Sequence, residues 1–320
     1  MIESHEVFES RHFTIEKIAD GVFAVFHRTD GWAISNSGIV DLGEFSLVFD
    51  TFISVQAAND LRQVAEQLTD KPVEAVINSH YHNDHIWGNQ VFDKQAKIIS
   101  SIATRELIET EGQAEYEWYK NNSASQIEEL SAQFASTKDE EKRAHISTTF
   151  SYYEGLVETL PLLKVRLPNL TFEDRLSIYG SEKTAHLIAF KEGHSPSDTI
   201  LYLPEEGVLF MGDLLFIDFH PYLADGDPIN LLTILKELEE YDVQSFIPGH
   251  GRIGSKKDIL QEREYILHCQ LTTKSLIEEG RTEKDLQYLS VPREFSGWHF
   301  PQYYTANLRH FFQKYANAPK

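Results

Sequence analysis

Three histidines and one aspartate occur within six consecutive positions, in the pattern H-x-H-x-D-H formed by His80, His82, Asp84 and His85. Side chains two residues apart on an extended loop point to the same side, so His80 and His82 can bind one cation. If the chain then turns into a helix, Asp84 and His85 face a second cation beside the first. Imidazole and carboxylate ligands suit zinc, and they also suit iron or manganese. The pattern therefore predicts a metal site rather than a polar loop that merely contains histidines.

The segment before this pattern, from Pro72 to Ile77, is a short apolar run rich in β-branched residues. Such runs predict buried strands. The histidine loop, which we define as residues 78–85, would therefore leave the carboxyl end of a strand. That is the position at which α/β folds place their reactive groups.

Four further residues with potential ligand atoms follow other predicted strands. They are Asp50, His194, Asp213 and His250, in the segments VFDT, GHSPSD, MGDL and PGHG. Each segment alone is a weak signal, because a histidine or aspartate beside glycine usually belongs to a turn. Their repeated position after strands, together with the histidine loop, makes the combination specific.

The composition indicates a globular protein with a strongly acidic surface. Of 320 residues 41% are hydrophobic, and 29 Lys plus Arg against 50 Asp plus Glu give a net charge of −21. This charge repels nucleic acids and anionic membranes. The single cysteine, Cys269, cannot form an internal disulfide, and the sequence shows neither a signal peptide nor an apolar run of membrane-spanning length. We therefore expect a cytoplasmic protein that acts on a small-molecule substrate, without nucleic-acid or membrane partners.

The elements that must position these residues are strands and helices in alternation. Periodicity predicts three early strands at 22–26, 32–40 and 46–50. It then predicts a helix at 56–67 and the strand before the histidine loop at 73–77. Residues 101–165 combine dense charge with aromatic residues at helical intervals, which predicts a helical insertion. Later strands are predicted at 176–179, 184–190, 199–203, 208–211 and 244–247, and a helix is predicted at 229–241. A helical extension covers about 256–320, and we expect one domain over residues 1–320.

In their order, these motifs resemble the five motifs of the metallo-β-lactamase superfamily, from about Gly21 to Gly251. The resemblance implies an α/β fold with αββα layers, a metal site at one edge of its two sheets, and the insertion and C-terminal helices as additions. It implies that the first metal is held by His80, His82 and His194. It implies that the second is held by Asp84, His85 and His250, with Asp213 as a bridge between the metals. Asp50 is then expected nearby, as a carboxylate that orients a ligand histidine.

The residues at two ligand positions, Asp213 and His82, indicate which subclasses of the superfamily the chain resembles. The antibiotic-degrading subclass with a cysteine ligand would have Cys where Asp213 stands, and a bridging aspartate instead resembles glyoxalase II and the lactonases. Flavodiiron proteins replace the second histidine of the motif with glutamate, which His82 argues against. Members that process RNA need an additional nuclease domain, which the length and the acidic charge disfavour.

The resemblance implies a hydrolase that binds two zinc ions, with iron or manganese as other suitable metals. A zinc-bound hydroxide would attack a small, neutral electrophile such as an ester, lactone or thioester, and Asp84 would receive its proton. His220 and Tyr222 follow Asp213 closely and are candidate substrate contacts. Poor activity on glutathione thioesters and on anionic β-lactams is expected.

Several alternatives stay open at the level of sequence. A mononuclear iron enzyme like the persulfide dioxygenases would use two histidines and an aspartate from the same motifs, and a β-lactam hydrolase would use the same fold. A non-catalytic binding protein is disfavoured because every ligand position is filled. The sequence does not decide whether the chain forms a homodimer, or whether the insertion or the aromatic segment 296–304 lines the pocket.

Overall fold

Two β-sheets form the centre of the computed structural model, which describes residues 9–92, 94, 96–138 and 140–316. The first sheet contains seven strands that lie in chain order: β1 Phe13–Ala19, β2 Val22–His27, β3 Ser37–Asp41, β4 Ser46–Phe49, β5 Val73–Ile77, β6 Lys97–Ser101 and β7 Leu170–Phe172. The second contains five strands, again neighbours in chain order: β8 Arg175–Tyr179, β9 Thr184–Lys191, β10 Ser197–Leu203, β11 Val208–Phe216 and β12 Ser245–His250.

Eight α-helices accompany the sheets in the described part of the chain: α1 Val55–Thr69, α2 Asn83–Ile86, α3 Ile102–Leu107, α4 Gln113–Ser136, α5 Glu140–Thr159, α6 Pro228–Glu239, α7 Lys256–Glu278 and α8 Gln302–Ala316. Helices α3 to α5 lie in the segment predicted as an insertion, and α7 and α8 lie in the C-terminal extension. Among the described helices, none is long and apolar enough to cross a bilayer.

Alternating side chains on the strands produce the layers. On β11, Val208 and Phe210 belong to the core between the sheets, whereas Leu209 and Met211 belong to the core shared with α6, α7 and α8. On the first sheet, Val48 of β4 packs in the core shared with α1. Successive side chains of a strand point to opposite faces, so apolar residues at consecutive positions bury both faces of a sheet. The predicted αββα arrangement is confirmed.

The predicted strand over residues 32–40 is wrong in its first half, because β3 begins only at Ser37. Ile34 has a left-handed backbone (φ 73°), which is incompatible with an extended strand. The backbone N–H of Asn36 instead donates to the carbonyl of Gly249 at 2.7 Å, and its side-chain amide donates to the carbonyl of Pro248 at 2.9 Å. This segment therefore joins the first sheet to the end of β12.

Strands β1, β6 and β7 were not predicted, and the predicted helical insertion contains several helices. Helices α4 and α5 are separated where Thr137 adopts an extended backbone, so the predicted helical insertion contains a break at this residue. Tyr116 and Tyr119 of α4 pack on Trp87, beside the histidine loop, and Tyr152 and Tyr153 of α5 pack against the same hydrophobic cluster. The insertion is therefore anchored next to the candidate site.

The carboxyl ends of parallel strands bring the predicted motifs together. Strands β4 and β5 pair in parallel, as do β11 and β12, so each pair ends at one edge of its sheet. Between the sheets, the N–H of Thr199 donates to the carbonyl of Ser79 at 2.7 Å. The histidine loop thus lies against the second sheet at the edge where β12 ends.

Candidate metal centre and cavity

The histidine loop leaves β5 in irregular conformation and then forms the short helix α2. His80 and His82 lie before this helix, and Asp84 and His85 lie within it. His82 keeps an extended backbone (φ −63°, ψ 147°) at the position where the helix begins. The change from extended to helical backbone distributes the four side chains between two neighbouring groups of potential ligands.

His80, His82, His194 and Asp213 form the first group, and their ligand atoms all lie within 4.8 Å of one another. His194 lies between β9 and β10, and its Nε2 is 3.1 Å from Nδ1 of His82. Oδ2 of Asp213 lies 3.4 Å from Nε2 of His194 and 3.9 Å from Nε2 of His80. Three imidazoles and one carboxylate in this arrangement are a ligand set that suits zinc.

Asp84, His85 and His250 form the second group, again with ligand atoms within 4.8 Å. Oδ2 of Asp84 is 3.3 Å from Nε2 of His250 and 3.5 Å from Nε2 of His85. Asp213 lies against this group as well, with Oδ1 at 3.1 Å from His85 Nε2 and Oδ2 at 3.5 Å from His250 Nε2. The Asp213 carboxylate is therefore shared by both groups.

Unpaired polar atoms at the centre of the two groups fit bound cations. Nε2 of His80, Nε2 of His85 and Oδ1 of Asp213 are buried and have no well-aligned hydrogen-bond partner in the described part of the chain. Burying polar atoms without partners is costly, and proteins tolerate it where another group satisfies them. Because all three are metal-ligand atoms that converge on one region, divalent cations are the partners that their chemistry favours.

Asp213 and His250 lie within strands, whereas the sequence placed them on the loops that follow. β11 continues past Met211 to Phe216, with an irregularity at Gly212 where the backbone is left-handed (φ 54°) and the register with β12 shifts. His250 is the last residue of β12. A Cβ atom on Gly249 would overlap Oδ1 of Asp213. Glycine at that position thus allows the β12 backbone to approach the shared carboxylate.

Asp50 contacts His85, a member of the second group, on the side of its ring that faces away from the other potential ligands. Its Oδ2 lies 2.8 Å from Nδ1 of His85, and it accepts hydrogen bonds of 2.7 Å from the backbone N–H and from the hydroxyl of Ser79. The left-handed backbone of Asp50 (φ 62°) directs its side chain to these partners. With Nδ1 of His85 donating to Asp50, Nε2 is left as the atom free to ligate a cation.

Asp225 is a functional candidate that sequence reasoning missed. Its Oδ2 lies 3.1 Å from Nε2 of His82, and its Oδ1 accepts a hydrogen bond of 3.0 Å from the hydroxyl of Tyr81. These contacts fix the His82 ring with Nδ1 toward the first group. No motif marks Asp225, because its relation to His82 arises only from the fold.

Asp198, within the predicted GHSPSD segment, was also missed. Its carboxylate accepts hydrogen bonds from the backbone N–H and the hydroxyl of Ser195, at 3.1 and 2.9 Å. Burial nevertheless raises the pKa of Asp198 to about 7. These bonds hold the turn that carries His194.

The carboxylates of the centre raise the proton affinity of the second group of histidines. Burial disfavours a charged imidazole at His250, but Asp213 and Asp84 outweigh burial and raise its pKa to about 9. Burial also disfavours ionisation of Asp84, yet His85 and His250 lower the pKa of Asp84 to about 2. A cation that binds here displaces protons, because only a neutral imidazole can ligate it.

A cavity of about 450 Å³ opens onto the two groups. The insertion and the C-terminal segment both contribute to its wall, which answers a question that the sequence left open. Besides the ligand groups and Asn83, its described lining residues are Ile34, Glu115, Tyr119, Thr149, Tyr152, Tyr153, Phe216, Phe219, His220, Tyr222, Phe300, Gln302 and Tyr303. The wall is therefore largely aromatic, and Lys and Arg are absent from these lining residues.

His220 and Tyr222 both line this cavity, but in different environments. Nδ1 of His220 lies 3.0 Å from the hydroxyl of Tyr265, and the imidazole is buried against Trp298. Tyr222 is 36% exposed, and its ring centroid is 5.4 Å from that of Tyr303. His220 is thus held by packing on α7, whereas Tyr222 is accessible to a ligand.

The insertion contributes a carboxyl group that the sequence did not single out. Glu115 lies in the first turn of α4, and its Oε2 is buried without a hydrogen-bond partner in the described part of the chain. Burial raises the pKa of Glu115 to about 7, although the nearby charge of His82 acts in the opposite direction. One turn later, Tyr119 accepts a hydrogen bond of 2.8 Å from the hydroxyl of Tyr152 on α5.

Comparison with known proteins gives one family match and several distant relatives. A family model described as the metallo-β-lactamase superfamily matches residues 30–250. A linear primary-alkylsulfatase from Pseudomonas sp. is 20% identical over 302 residues, which is 86% of this chain and 52% of that protein. An alkyl/aryl-sulfatase from Saccharomyces cerevisiae is 22% identical over 323 residues, 93% of this chain and 48% of that protein. The chain therefore spans about half the length of these two relatives.

Among solved structures, a metallo-beta-lactamase from Pontibacter korlensis is similar to this chain with a TM-score of 0.56 and 17% identity. The match covers 80% of this chain and 99% of that one. At this identity, the likeness supports the fold and leaves the activity to be argued from the site.

Proposed function

Because this chain belongs to the metallo-β-lactamase superfamily of metallo-hydrolases, we propose that it is a hydrolase that holds two zinc ions, one in each ligand group. Its substrate would be a small, partly apolar electrophile without negative charge, such as a neutral ester or lactone. The observation that carries the proposal is the pair of adjacent ligand groups that share the Asp213 carboxylate at the base of an aromatic cavity. Bound divalent ions would lower the pKa of water to near neutrality and polarise the attacked group.

The side chains of the centre have separate tasks in this proposal. His80, His82 and His194 would ligate the first ion, Asp84, His85 and His250 the second, and Asp213 both. Asp84 also lines the cavity, and its pKa of about 2 keeps it ionised at neutral pH. Its carboxylate would orient the attacking hydroxide and receive the proton of that hydroxide as the tetrahedral intermediate collapses. Asp50 and Asp225 would hold His85 and His82 in their ligating orientations.

The cavity wall supports a substrate without negative charge. Arginine and lysine are the usual partners of substrate sulfate, phosphate and carboxylate groups, and neither occurs among the described lining residues. Aromatic rings from α4, α5 and the C-terminal segment provide apolar contact area. An anionic substrate would depend on the metal ions alone for charge compensation.

Sulfate-ester hydrolysis is the second candidate, because two relatives with matches over most of this chain are named as alkylsulfatases. An alkyl chain would suit the aromatic wall. A sulfate group would lack a basic partner among the described lining residues, which is why we rank this activity second.

The test is a comparison of substrates with the zinc-reconstituted chain. We expect kcat/KM for phenyl acetate or γ-butyrolactone to exceed that for hexyl sulfate and for a glutathione thioester by at least about tenfold, about 1.4 kcal/mol of transition-state binding. A preference for hexyl sulfate would replace the proposal with the sulfatase candidate. A preference for the thioester, or no hydrolysis of any of the four compounds, would contradict both candidates.

A further inference from the structure

Glu115 gives the cavity a carboxyl group that belongs to neither ligand group and has one unpaired oxygen. The side chain is partly exposed to the cavity, but its Oε2 is buried and lacks a hydrogen-bond partner among the residues described. A buried carboxylate oxygen without a partner is costly for the protein, and it is satisfied when a donor or a cation binds beside it. Because Glu115 lines the substrate cavity, the ligand itself is a natural source of that partner.

Three tyrosine rings line the same cavity as Glu115. Tyr119 and Tyr153 have ring centroids 6.3 Å apart, and Tyr152 stands perpendicular to Tyr153 at 5.2 Å. The negative charge of Glu115 contributes to the raised pKa of Tyr119, after the larger effect of burial. The charge of Glu115 therefore acts on at least one of the tyrosine rings that line the cavity.

Aromatic faces attract cations, and quaternary ammonium groups in particular are bound by several rings around one site. A carboxylate beside the rings adds an opposite charge that a neutral ligand cannot use.

The charge of the whole chain acts in the same direction. A net charge of −21 attracts cations to the protein, and no Lys or Arg stands among the described residues of the cavity wall to repel them. The ligand groups take metal ions, but Glu115 is outside both groups. A positively charged part of the substrate would therefore meet its complement at Glu115.

Resting on the function proposed above, we propose that the cavity holds an ammonium subsite, in which Glu115 supplies the counter-charge and Tyr119, Tyr152 and Tyr153 supply the rings. The preferred substrate is then an ester that carries an ammonium group at its non-reacting end. Among substrates without negative charge, we expect the enzyme to prefer those that carry an ammonium group, in addition to those with more apolar contact area.

Binding of choline, which has no bond to hydrolyse, tests the subsite separately from catalysis. Calorimetry with the zinc-loaded chain should show choline binding at least about tenfold tighter than its uncharged isostere 3,3-dimethylbutan-1-ol. Glu115→Gln should remove most of this difference, and Tyr153→Leu should reduce it. Glu117→Gln is the matched control, because Glu117 lies on the same helix with an exposed side chain that contacts Lys120. It should bind both compounds as the wild type does.

Turnover forms the second arm, with acetylcholine against 3,3-dimethylbutyl acetate. We expect the charged ester to have the higher kcat/KM, and the ratio to fall in Glu115→Gln but not in Glu117→Gln. Equal binding of choline and its isostere, or a choline preference that survives Glu115→Gln, would overturn the subsite. Choline discrimination that depends on Glu115, with no hydrolysis of these two esters, of phenyl acetate or of γ-butyrolactone, would retain the subsite and refute the proposed hydrolase. Unchanged thermal unfolding of the variants establishes that the comparison concerns folded protein.

Discussion

At the scale of single residues, the centre depends on one carboxylate that contacts both ligand groups. Asp213 places Oδ1 beside His85, and Oδ2 beside His194 and His250. Two neighbouring dications repel each other, and a shared carboxylate reduces this repulsion. A dinuclear site would therefore depend most on Asp213.

Replacing Asp213 with alanine should abolish turnover or reduce it severely while the fold is retained. The second ion should be lost first, because the remaining carboxylate of that group is Asp84 alone. Metal analysis and circular dichroism of the purified variant measure the two effects. Wild-type metal content together with wild-type activity would show that Asp213 is not a ligand.

Asp50→Asn should weaken metal binding without removing a ligand. The amide keeps the size of the side chain but loses the charge that faces Nδ1 of His85 at 2.8 Å. Removal of a partner that orients a ligand typically costs about 10- to 100-fold in metal affinity. Competition with a chromophoric chelator measures this loss. An affinity equal to that of the wild type would show that His85 is oriented by its packing and not by Asp50.

At the scale of elements, the sequence predicted those parts of the site that depend on local order. The run at 73–77 predicted a strand, and the residues directly after it carried the histidine loop. Asp225 and Glu115 could not be found in this way. Asp225 meets His82 across 143 positions of sequence, and Glu115 reaches the cavity only because α4 packs beside the loop. Such contacts are decided by packing and leave no local pattern.

The predicted strand over residues 32–40 was wrong near Ile34 for a related reason. The apolar residues from Trp32 onward favour a strand, but the hydrogen bonds of Asn36 to the end of β12 draw the segment out of the sheet. A sequence window contains no information about Gly249, which accepts one of those bonds. Local propensity was overridden by a contact between distant elements.

The junction between α7 and β11 contains a buried acid with a testable effect on stability. One oxygen of Glu262 accepts a hydrogen bond of 3.1 Å from the N–H of Phe216, and the other has no partner among the described residues. Burial raises the pKa of Glu262 well above its usual value, against the effect of that hydrogen bond. The folded state therefore retains a proton that the unfolded chain releases, so this group destabilises the fold increasingly as pH rises from about 4.5 through the folded-state pKa.

Glu262→Gln keeps the acceptor for Phe216 and removes the ionisation. We expect it to raise the free energy of unfolding at neutral or alkaline pH, by about 1 to 3 kcal/mol, and to have little effect near pH 4. Denaturant unfolding at several pH values gives the comparison. Equal stabilisation at all pH values, or destabilisation at pH 8, would show that the charge of Glu262 is not the cause.

At the scale of the whole molecule, the candidate centre joins the two sheets. The histidine loop follows β5 of the first sheet, whereas His194, Asp213 and His250 belong to strands or connections of the second. A cation held by residues of both sheets binds only when the sheets are packed together. Metal binding should therefore stabilise the entire fold and not the loop alone.

Removal of zinc by a chelator should lower the temperature of global unfolding, and restored zinc should raise it again. A ligand present at 100 times its dissociation constant stabilises the folded state by about 2.7 kcal/mol. Differential scanning calorimetry at several free-zinc concentrations measures the shift, with magnesium as a control for ionic strength. An unfolding temperature that is independent of zinc would contradict a centre that links the sheets.

The number of zinc ions bound by each chain decides whether the centre is dinuclear. The wild-type chain would be stripped of metal, reconstituted with excess zinc, freed of unbound ions and analysed by mass spectrometry of the elements beside a protein assay. The two groups, His80, His82 and His194 on one side and Asp84, His85 and His250 on the other, with Asp213 between them, predict about two zinc ions per chain. A value that stays at about one under excess zinc would contradict the dinuclear centre.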